Sequence, residues 1–306
     1  MSPEGPLFLC VDGGGTRSRA RLIGPGGAAL AIATGGPCNP STDLARALAS
    51  LDEVWASCAG AVGLEHHRYS DVGLAIGAAG LYLASARDAF LAACPRFGSA
   101  VAMSDGYAAL VGATGGAPGA LIIAGTGVAG HRLYADGRSI QRDAWGWVAG
   151  DRGSGAWLGR HALRHCMAAL DGIQTADRLA RSVLTEIGGT SALVSGWLQH
   201  LGPDRLGALA PIVLDLAQHG DPAALRLQSR ALDHLAGLAS TLDAGGVPLY
   251  AAGGIAERLR DLLTLRLGRD AKAPQADAVT GCYLVASGRA PGEAASLFGT
   301  DMEDDA

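Results

Sequence analysis

The chain of 306 residues has almost no lysine, since Lys272 is the only one and arginine supplies the other basic side chains. A Walker A loop needs a Gly-Lys-Ser/Thr sequence, in which the lysine contacts the phosphates. Lys272 stands in no such sequence, which excludes the P-loop class of nucleotide enzymes. The chain also lacks an excess of positive charge, because its net charge is −5. General nucleic-acid binders carry a basic face, so we expect no nucleic-acid partner.

Three further features are missing. The six cysteines, at 10, 38, 58, 94, 166 and 282, form no Cys-x-x-Cys pair, which argues against a structural zinc site or a disulfide framework. The N-terminus lacks the basic and apolar segments of a signal peptide, so we expect a cytoplasmic protein with reduced thiols.

Residues 106–130 are uncharged, but "TGGAPG" (Thr114–Gly119) interrupts them. Two short elements joined by a turn are predicted there, and no membrane span.

The remaining pattern alternates strands and helices. The apolar strand Leu7–Val11 ends in Asp12 and three glycines, and the segments Arg17–Leu22 and Ala28–Ala33 then predict a β-hairpin. Further strands are predicted at Val72–Ile76, Ala100–Met103 and Val247–Ile255, the last ending in a Gly-Gly turn. Helices are predicted at Leu44–Ala59, Ser85–Ala93, Tyr107–Gly112, Ala156–Leu170, Ala176–Glu186, Ser191–Leu201, Leu206–Ala217, Ala223–Leu242, from Ala256, and at Asp277–Gly288. The acidic segment Asp301–Ala306 predicts a solvated tail. These elements indicate an α/β protein.

The opening plan occurs twice. Shifted by 110 residues, Gly15-Thr16 falls on Gly125-Thr126 and Gly27 falls on Gly137. Each copy reads as an apolar strand, a Gly-Thr loop, an alternating strand, a turn and a returning strand. This internal repeat predicts two similar α/β domains.

Glycine-rich turns follow three of the apolar strands, at Gly13–Gly15, Gly125–Gly127 and Gly253–Gly254. Backbone N–H groups in such turns can hold phosphate oxygens, because glycine has no side chain in the way. A Rossmann loop would open into a helix, whereas the first loop here opens into a hairpin. The turns therefore indicate a nucleotide held between two domains. Asp12 either holds Mg²⁺ through water beside the phosphates or caps the turn.

Four segments occur together in order: "DGGGT" (Asp12–Thr16), "AGTG" (Ala124–Gly127), "WGWVAGDRGSGAWLG" (Trp145–Gly159) and "AAGGI" (Ala251–Ile255). With them the chain resembles the actin/hexokinase/Hsp70-like ATPases. Within these it is similar to the N-acetylglucosamine kinase and BadF/BadG/BcrA/BcrD ATPase family, including bacterial glucosamine kinases. The resemblance implies two ribonuclease-H-like domains facing each other across a nucleotide- and sugar-binding cleft. It places the N-terminal domain at 1–115, joined by a C-terminal helix at about 277–290. The C-terminal domain then covers 116–276, with helical insertions.

The resemblance also implies ATP, Mg²⁺, an amino-sugar substrate and a homodimer. Asp105 would be the catalytic base, because a sugar hydroxyl must lose its proton as the bond to phosphorus forms; a helix N-cap is the structural alternative. The phosphate and ATP residues carried over are Asp12, Gly13, Gly14, Gly15, Thr16, Gly125, Thr126, Gly127, Gly253 and Gly254, with Asp12 toward the metal. The sugar-binding residues carried over are Asn39, Gly77, Gly80, Asp105, Thr126 and Asp151. Asn39 reads equally as a turn residue before Pro40.

The chain departs from the family pattern at Arg17, Val128 and Arg152, where lysine, serine and glutamate are usual. Trp145 and Trp147 either stack on a sugar face or pack in the core. The expected reaction transfers the γ-phosphate of ATP to the 6-hydroxyl of N-acetylglucosamine, with glucosamine as the alternative acceptor. An ATPase that activates a partner enzyme is an alternative of another class, but such activators use cysteines for an iron–sulfur cluster. A related sugar-responsive repressor would need a DNA-binding domain before Leu7, which we expect to be absent.

Overall fold

The structure, a computed structural model, describes residues 5–242, 246–293 and 297–298. The acidic tail predicted at Asp301–Ala306 lies outside the described residues. The chain divides into two compact units. The first unit comprises the residues up to Ala120, His131–Gln141 and the residues from Pro274 onward. The second unit comprises Leu121–Gly130 and Arg142–Ala273.

Twelve helices lie among the described residues. They are α1 (Leu44–Ala61), α2 (Ala84–Ala93), α3 (Asp105–Thr114), α4 (Gly146–Ala149), α5 (Gly155–Leu170), α6 (Arg178–Glu186), α7 (Ser191–Leu198), α8 (Pro203–Gly207), α9 (Ala210–Gln218), α10 (Pro222–Thr241), α11 (Gly254–Leu267) and α12 (Ala278–Ala286). A 3₁₀ turn, Tyr69–Asp71, precedes the fourth strand.

The first sheet has five strands: β1 (Leu7–Gly13), β2 (Ser18–Ile23), β3 (Ala29–Gly35), β4 (Val72–Ala78) and β5 (Ser99–Ser104). Their order is β3-β2-β1-β4-β5. The hairpin strands β2 and β3 are antiparallel to their neighbours, whereas β1, β4 and β5 are parallel. In the register, Asp12 lies opposite Gly77, and Ala78 lies opposite Ser104. The carboxyl ends of three neighbouring strands therefore meet at one edge of the sheet.

Helix α12 packs against α3, β1 and β4 within the first unit. The guanidinium of Arg21 on β2 donates to both carboxylate oxygens of Asp277, at 2.9 and 2.5 Å, and Asp277 caps the start of α12. Glycines let α3 and α12 approach closely. A Cβ at Gly281 would lie 1.9 Å from the backbone oxygen of Ala108, and one at Gly112 would lie 2.2 Å from that of Asp277.

The second sheet comprises β6 (Gly119–Ala124), β7 (Val128–Leu133), β8 (Ser139–Asp143), β9 (Leu249–Ala252), β10 (Ala271–Lys272) and β11 (Leu297–Phe298). Its order is β10-β9-β6-β7-β8-β11. Apart from the edge strand β11, this is the order of the first sheet, with β6 to β8 in the places of β1 to β3. The shared order confirms the internal repeat, and the predicted α/β class is also confirmed.

One helix predicted from the sequence is wrong. The helix expected over Leu206–Ala217 is two helices, α8 and α9, with a break at Ala208 and Leu209. Pro211 explains the break, because proline has no N–H to donate and its ring would clash with the carbonyl of Gly207 in a continuous helix.

The uncharged stretch 106–130 forms the two predicted elements. Helix α3 ends at Thr114, Gly115 and Gly116 turn with positive φ, and β6 begins at Gly119. Among the residues that the structure describes, every helix is too short or too polar to cross a lipid bilayer.

Candidate functional site

Within the first unit, the parallel strands bring together three of the predicted site residues. Asp12 lies near the end of β1, Gly77 near the end of β4, and Asp105 directly after β5. In open α/β sheets, ligands bind beyond the carboxyl ends of the strands. Gly77 also has a packing role, because a Cβ there would lie 2.4 Å from that of Ala108 on α3.

Hydrogen bonds to its backbone carbonyl oxygens hold the loop after β1 in place. The backbone N–H of Cys38 donates to the oxygen of Gly14, and that of Ala79 donates to the oxygen of Gly13, both at 2.9 Å. A side chain at Gly13 would collide with Ala78 and Cys38 at 2.9 Å. Gly15 and Thr16 are exposed at the tip of the loop, where their backbone is open to a ligand.

Asp12 does not cap this turn. Its Oδ2 instead accepts a hydrogen bond at 2.6 Å from Arg19 on β2. In the described part of the chain, no group of three or more His, Cys, Asp and Glu side chains could hold a metal ion. Mg²⁺ commonly takes one or two carboxylates and completes its shell with water and substrate phosphates. A single carboxylate beside a phosphate loop fits that mode of binding.

Asp105 is the first residue of α3, and it is not the N-cap. That position belongs to Ser104, whose hydroxyl accepts a hydrogen bond from the N–H of Tyr107 at 3.1 Å. Asp105 keeps solvent access, and its Oδ1 accepts from the N–H of Gly106 at 2.9 Å. Desolvation by the surrounding protein raises the pKa of the Asp105 carboxyl, the Gly106 bond partly opposes this, and repulsion from Asp12 adds to it. The carboxylate is therefore a stronger base than an ordinary aspartate.

Asn39 and Gly80 lie together in the first unit. The Oδ1 of Asn39 accepts from the N–H of Ser41 at 3.2 Å and from its hydroxyl at 2.8 Å, which makes Asn39 a turn residue. Gly80 has a φ of +85°, and a Cβ there would lie 2.5 Å from that oxygen. Because Oδ1 is used in this turn, the side-chain NH₂ group of Asn39 is the group that can donate to a ligand.

In the second unit, the repeat of the phosphate loop docks on the start of α5. The backbone N–H of Gly155 donates to the oxygen of Gly125 at 2.7 Å, and that of Ala156 donates to the oxygen of Thr126 at 3.0 Å. Gly253 closes on the same loop with a φ of +91°, since a Cβ there would lie 2.6 Å from the backbone oxygen of Ala124. The predicted segments at 125–127 and 253–254 are therefore neighbours.

A cavity of about 430 Å³ opens beside these two segments. Volumes of this size suit small-molecule ligands. Its lining comprises Gly125, Thr126, Gly155, Gly207, Pro211, Leu214, Gly254, Ile255 and Arg258. Glycines and apolar side chains form most of the wall, which suits a flat heterocycle. Arg258 is held by Asp215 at 2.6 Å.

Sequence reasoning named Gly125, Thr126 and Gly254 for this site and missed the other lining residues. Gly155 lies in the sequence "DRGSG" (Asp151–Gly155), a motif from which its place in the site could have been predicted. Gly207, Pro211, Leu214 and Arg258 come from three helices whose packing no local pattern revealed.

Asp151 is buried in the second unit and holds the start of β7. Its Oδ1 accepts from the N–H of Val128 at 3.0 Å, and its own N–H donates to Asp143 at 2.9 Å. Both aspartates have positive φ, 55° at Asp151 and 58° at Asp143, a conformation that costs a non-glycine residue energy and concentrates at functional sites. Burial raises the pKa of Asp151, the Val128 bond opposes it, and repulsion from Asp143 adds to it. Gly127 touches this carboxylate, because a Cβ there would lie 2.9 Å from Oδ2.

The segment before Asp151 carries an exposed tryptophan. Trp145 is 60% exposed and Val148 is 74% exposed, whereas Trp147 is half-buried. Core packing therefore does not account for Trp145. Arg152, the departure next to Asp151, is also exposed.

Known proteins are similar to this chain over most of its length. The glucosamine kinase GspK of Vibrio cholerae is 29% identical over 280 residues, which are 91% of this chain and 95% of that protein. A solved structure from Chromobacterium violaceum, provisionally named an N-acetylglucosamine kinase, is 33% identical with a TM-score of 0.84, covering 92% of this chain and 99% of the other. A ROK family glucokinase from Streptomyces griseus shares the fold, at 19% identity and a TM-score of 0.54 over 92% of this chain and 98% of that one.

A family profile matches most of the chain. It describes the BadF/BadG/BcrA/BcrD ATPase family and covers residues 9–286, so that all the strand-end glycines and aspartates discussed above lie inside the match. The chain is an enzyme that belongs to the BadF/BadG/BcrA/BcrD ATPase family.

Proposed function

We propose that this enzyme is an ATP-dependent amino-sugar kinase that transfers the γ-phosphate to the 6-hydroxyl of N-acetylglucosamine. The observation that carries the proposal is the position of Asp105. It follows a strand parallel to the one that ends in Asp12 and the phosphate loop, and it keeps a solvent-accessible carboxylate whose pKa is raised by desolvation. A base beside a phosphate loop is the arrangement that phosphoryl transfer to an alcohol requires.

Asp105 accepts the proton of the sugar hydroxyl as its oxygen bonds to the γ-phosphorus, and the bond from that phosphorus to the bridging oxygen breaks so that ADP leaves. The loop Gly13–Thr16 and the loop Gly125–Gly127 hold the phosphates through backbone N–H groups. Adenosine occupies the cavity beside Thr126 and Gly254, against Pro211 and Leu214. Asp12 would hold Mg²⁺ through water, and the ion would neutralise charge on the phosphates.

The sugar hydroxyls need several polar partners, because an unpaired hydroxyl in a closed site is costly. We assign this role to Asn39, Gly77, Gly80, Thr126 and Asp151. Asn39 offers its amide hydrogens, and Gly80 leaves room beside it. Trp145 offers an exposed ring for stacking on a sugar face. The proposal includes a homodimer in the cytoplasm, with domains at 1–115 plus 277–290 and at 116–276.

Glucosamine is the second candidate acceptor. It is favoured by the Vibrio cholerae relative, which is named a glucosamine kinase and matches nearly end to end. The two acceptors differ at C2, where an acetamide needs an apolar niche and an ammonium needs a carboxylate.

The cysteines support a kinase over an activator that carries an iron–sulfur cluster. Five of the six are buried and Cys94 is half-buried. Burial raises the pKa of the Cys10 thiol to about 12 and that of Cys38 to about 11.

The test is ADP release from Mg-ATP with N-acetylglucosamine, glucosamine, glucose, N-acetylmannosamine or no sugar. We expect release that depends on one amino sugar. Asp105→Asn keeps the shape of the side chain and removes the base, so its turnover should fall by a factor of about 100 or more.

The matched control is Asp88→Asn, on helix α2 outside the proposed site, which should keep full activity. Sugar-independent release that survives in Asp105→Asn would reject the kinase and favour the partner-ATPase alternative. Transfer to glucosamine alone would reject only the choice of acceptor.

A further inference from the structure

A buried glutamate near the C-terminus contacts the strand end that carries Asp105. Glu293 lies beyond the residues that match the family profile, which end at 286. Its side chain is only 2% exposed. Burying a carboxylate is costly unless hydrogen bonds and an opposite charge compensate, so its surroundings indicate what holds it there.

Three donors converge on this carboxylate. The backbone N–H of Ser104 donates to Oε2 at 2.7 Å, and the Ser104 hydroxyl donates to Oε1 at 2.8 Å. The guanidinium of Arg87 on α2 lies 3.3 Å from Oε2 and also donates to the backbone oxygens of Leu81 and Tyr82 at 3.1 Å. Charge-assisted hydrogen bonds of this kind are about twice as strong as neutral ones.

A second bond ties the same C-terminal segment to the same helix. The hydroxyl of Tyr107 donates to the backbone oxygen of Pro291 at 2.9 Å. Ser104 is both the N-cap of α3 and a double donor to Glu293, and Asp105 is the next residue in the chain. Hydrogen bonds therefore hold the segment Pro291–Glu293 against the first turn of α3, which carries Asp105.

We propose that Glu293 is a positioning residue for Asp105, fixing through Ser104 the direction and the electrostatic setting of the base. This inference rests on the proposed kinase function. The charged and titratable groups around this turn are Arg87 on α2, Asp12 on β1, Tyr107 on α3, Glu293 itself, and His131 on β7, whose ring lies against Gly106.

Charge and geometry can be separated experimentally. Burial raises the pKa of Glu293, the two Ser104 bonds and Arg87 oppose this, and repulsion from Asp105 adds to it. The two carboxylates repel each other when both are charged, so we expect the removal of the charge at Glu293 to favour the ionised form of Asp105. A residue that only stabilised the fold would not change the pH at which the base ionises.

The experiment compares Glu293→Gln with the unchanged full-length protein. We expect kcat to fall about tenfold, because Ser104 loses its charged partner, while the KM values for ATP and sugar stay within about twofold. The acid limb of the pH profile of kcat should move to lower pH. Glu293→Asp keeps the charge, so it should leave the acid limb in place and recover part of kcat.

Glu65→Gln, at an exposed position of the first unit, is the matched control and should change nothing. If Glu293→Gln does not fold because Arg87 is left as a buried unpaired charge, Arg87→Gln combined with Glu293→Gln removes both charges. The double variant should fold and show the same loss of kcat and the same shift.

An unmoved pH profile together with unchanged kcat in a folded variant would overturn the inference, as would a loss confined to thermal stability. Hydrogen exchange at the amide of Ser104 gives a readout that does not depend on turnover. It should accelerate in Glu293→Gln, and an unchanged rate would show that the segment does not hold the strand end. If the unchanged protein transfers no phosphate to any sugar, the proposed function fails first, and exchange alone then reports the docking of Glu293.

Discussion

At the scale of single residues, Gly207 offers a direct test of the nucleotide cavity. It ends α8 and lines the cavity, and the nearest atoms to an added Cβ belong to Thr126, at 3.5 Å. A leucine at this position would project into the space assigned to adenosine. We predict that Gly207→Leu raises the KM for ATP by a factor of about ten, which corresponds to about 1.4 kcal/mol of lost binding. The measurement is initial-rate kinetics with ATP and the sugar varied separately.

Gly237→Leu is the matched control, because Gly237 lies on the exposed face of α10 with open space around it. It should leave both KM values unchanged. Equal rises in the KM for ATP and the KM for sugar in Gly207→Leu would contradict the assignment of this cavity to the nucleotide.

The sequence predicted those site residues that a nearby sequence pattern identifies. Asp12 and Asp105 each end an apolar strand, and parallel pairing brings such ends together. Arg258 and Glu293 carry no comparable local signal. Arg258 reaches the cavity from α11, and Glu293 reaches the α3 turn from far along the chain. Their positions depend on tertiary packing, which one sequence does not display.

At the scale of elements, the contact between α3 and α12 depends on glycine. The predicted Cβ of an alanine at Gly281 would lie 1.9 Å from a backbone oxygen of α3, and a backbone atom cannot rotate away. We predict that Gly281→Ala destabilises the protein by about 1–3 kcal/mol, measured by urea or thermal unfolding.

Gly60→Ala provides the contrast. Gly60 is an exposed position in α1 with nothing within 4 Å of the added Cβ. Alanine is the better helix former by about 1 kcal/mol, so this change should be neutral or stabilising. A Gly281→Ala protein as stable as Gly60→Ala would show that the two helices can separate without cost.

Element boundaries show where local reasoning is sufficient. Helix α1 and the hairpin β2–β3 lie within a few residues of their predicted bounds, because apolar periodicity and turn glycines act over short distances. The break between α8 and α9 was missed because the apolar spacing continues across it. Pro211 was the available signal, and its effect on Gly207 prevails over the periodicity.

At the scale of the whole molecule, the two sheets share one strand order. The order of β1 to β5 recurs in β6 to β10, so each sheet presents a glycine-rich loop after its first strand. The sequence revealed this repeat through the spacing of Gly-Thr pairs. It could not reveal the partners that fix each loop, such as Ala79 for Gly13 and Gly155 for Gly125, because these come from other strands and helices.

The stability of the whole molecule should depend on acid, and the buried His131 on β7 contributes to that dependence. Its side chain is buried, and burial lowers its pKa to about 4. Between pH 6.5 and about pH 4, His131 is protonated in the unfolded chain but stays neutral in the folded protein. The free energy of unfolding should therefore fall as the pH drops through this window, by about 3 kcal/mol from this residue alone.

Urea unfolding of the unchanged protein, His131→Gln and His67→Gln at several pH values between 7 and 4 measures this contribution. The side chain of His67 is 75% exposed, so its variant should follow the slope of the unchanged protein. His131→Gln starts from a lower stability at pH 7, since it alters a buried position against Gly106, but loses less as the pH falls. Parallel slopes for the two variants would mean that His131 is protonated in the folded protein, and that the acid sensitivity comes from carboxylates elsewhere.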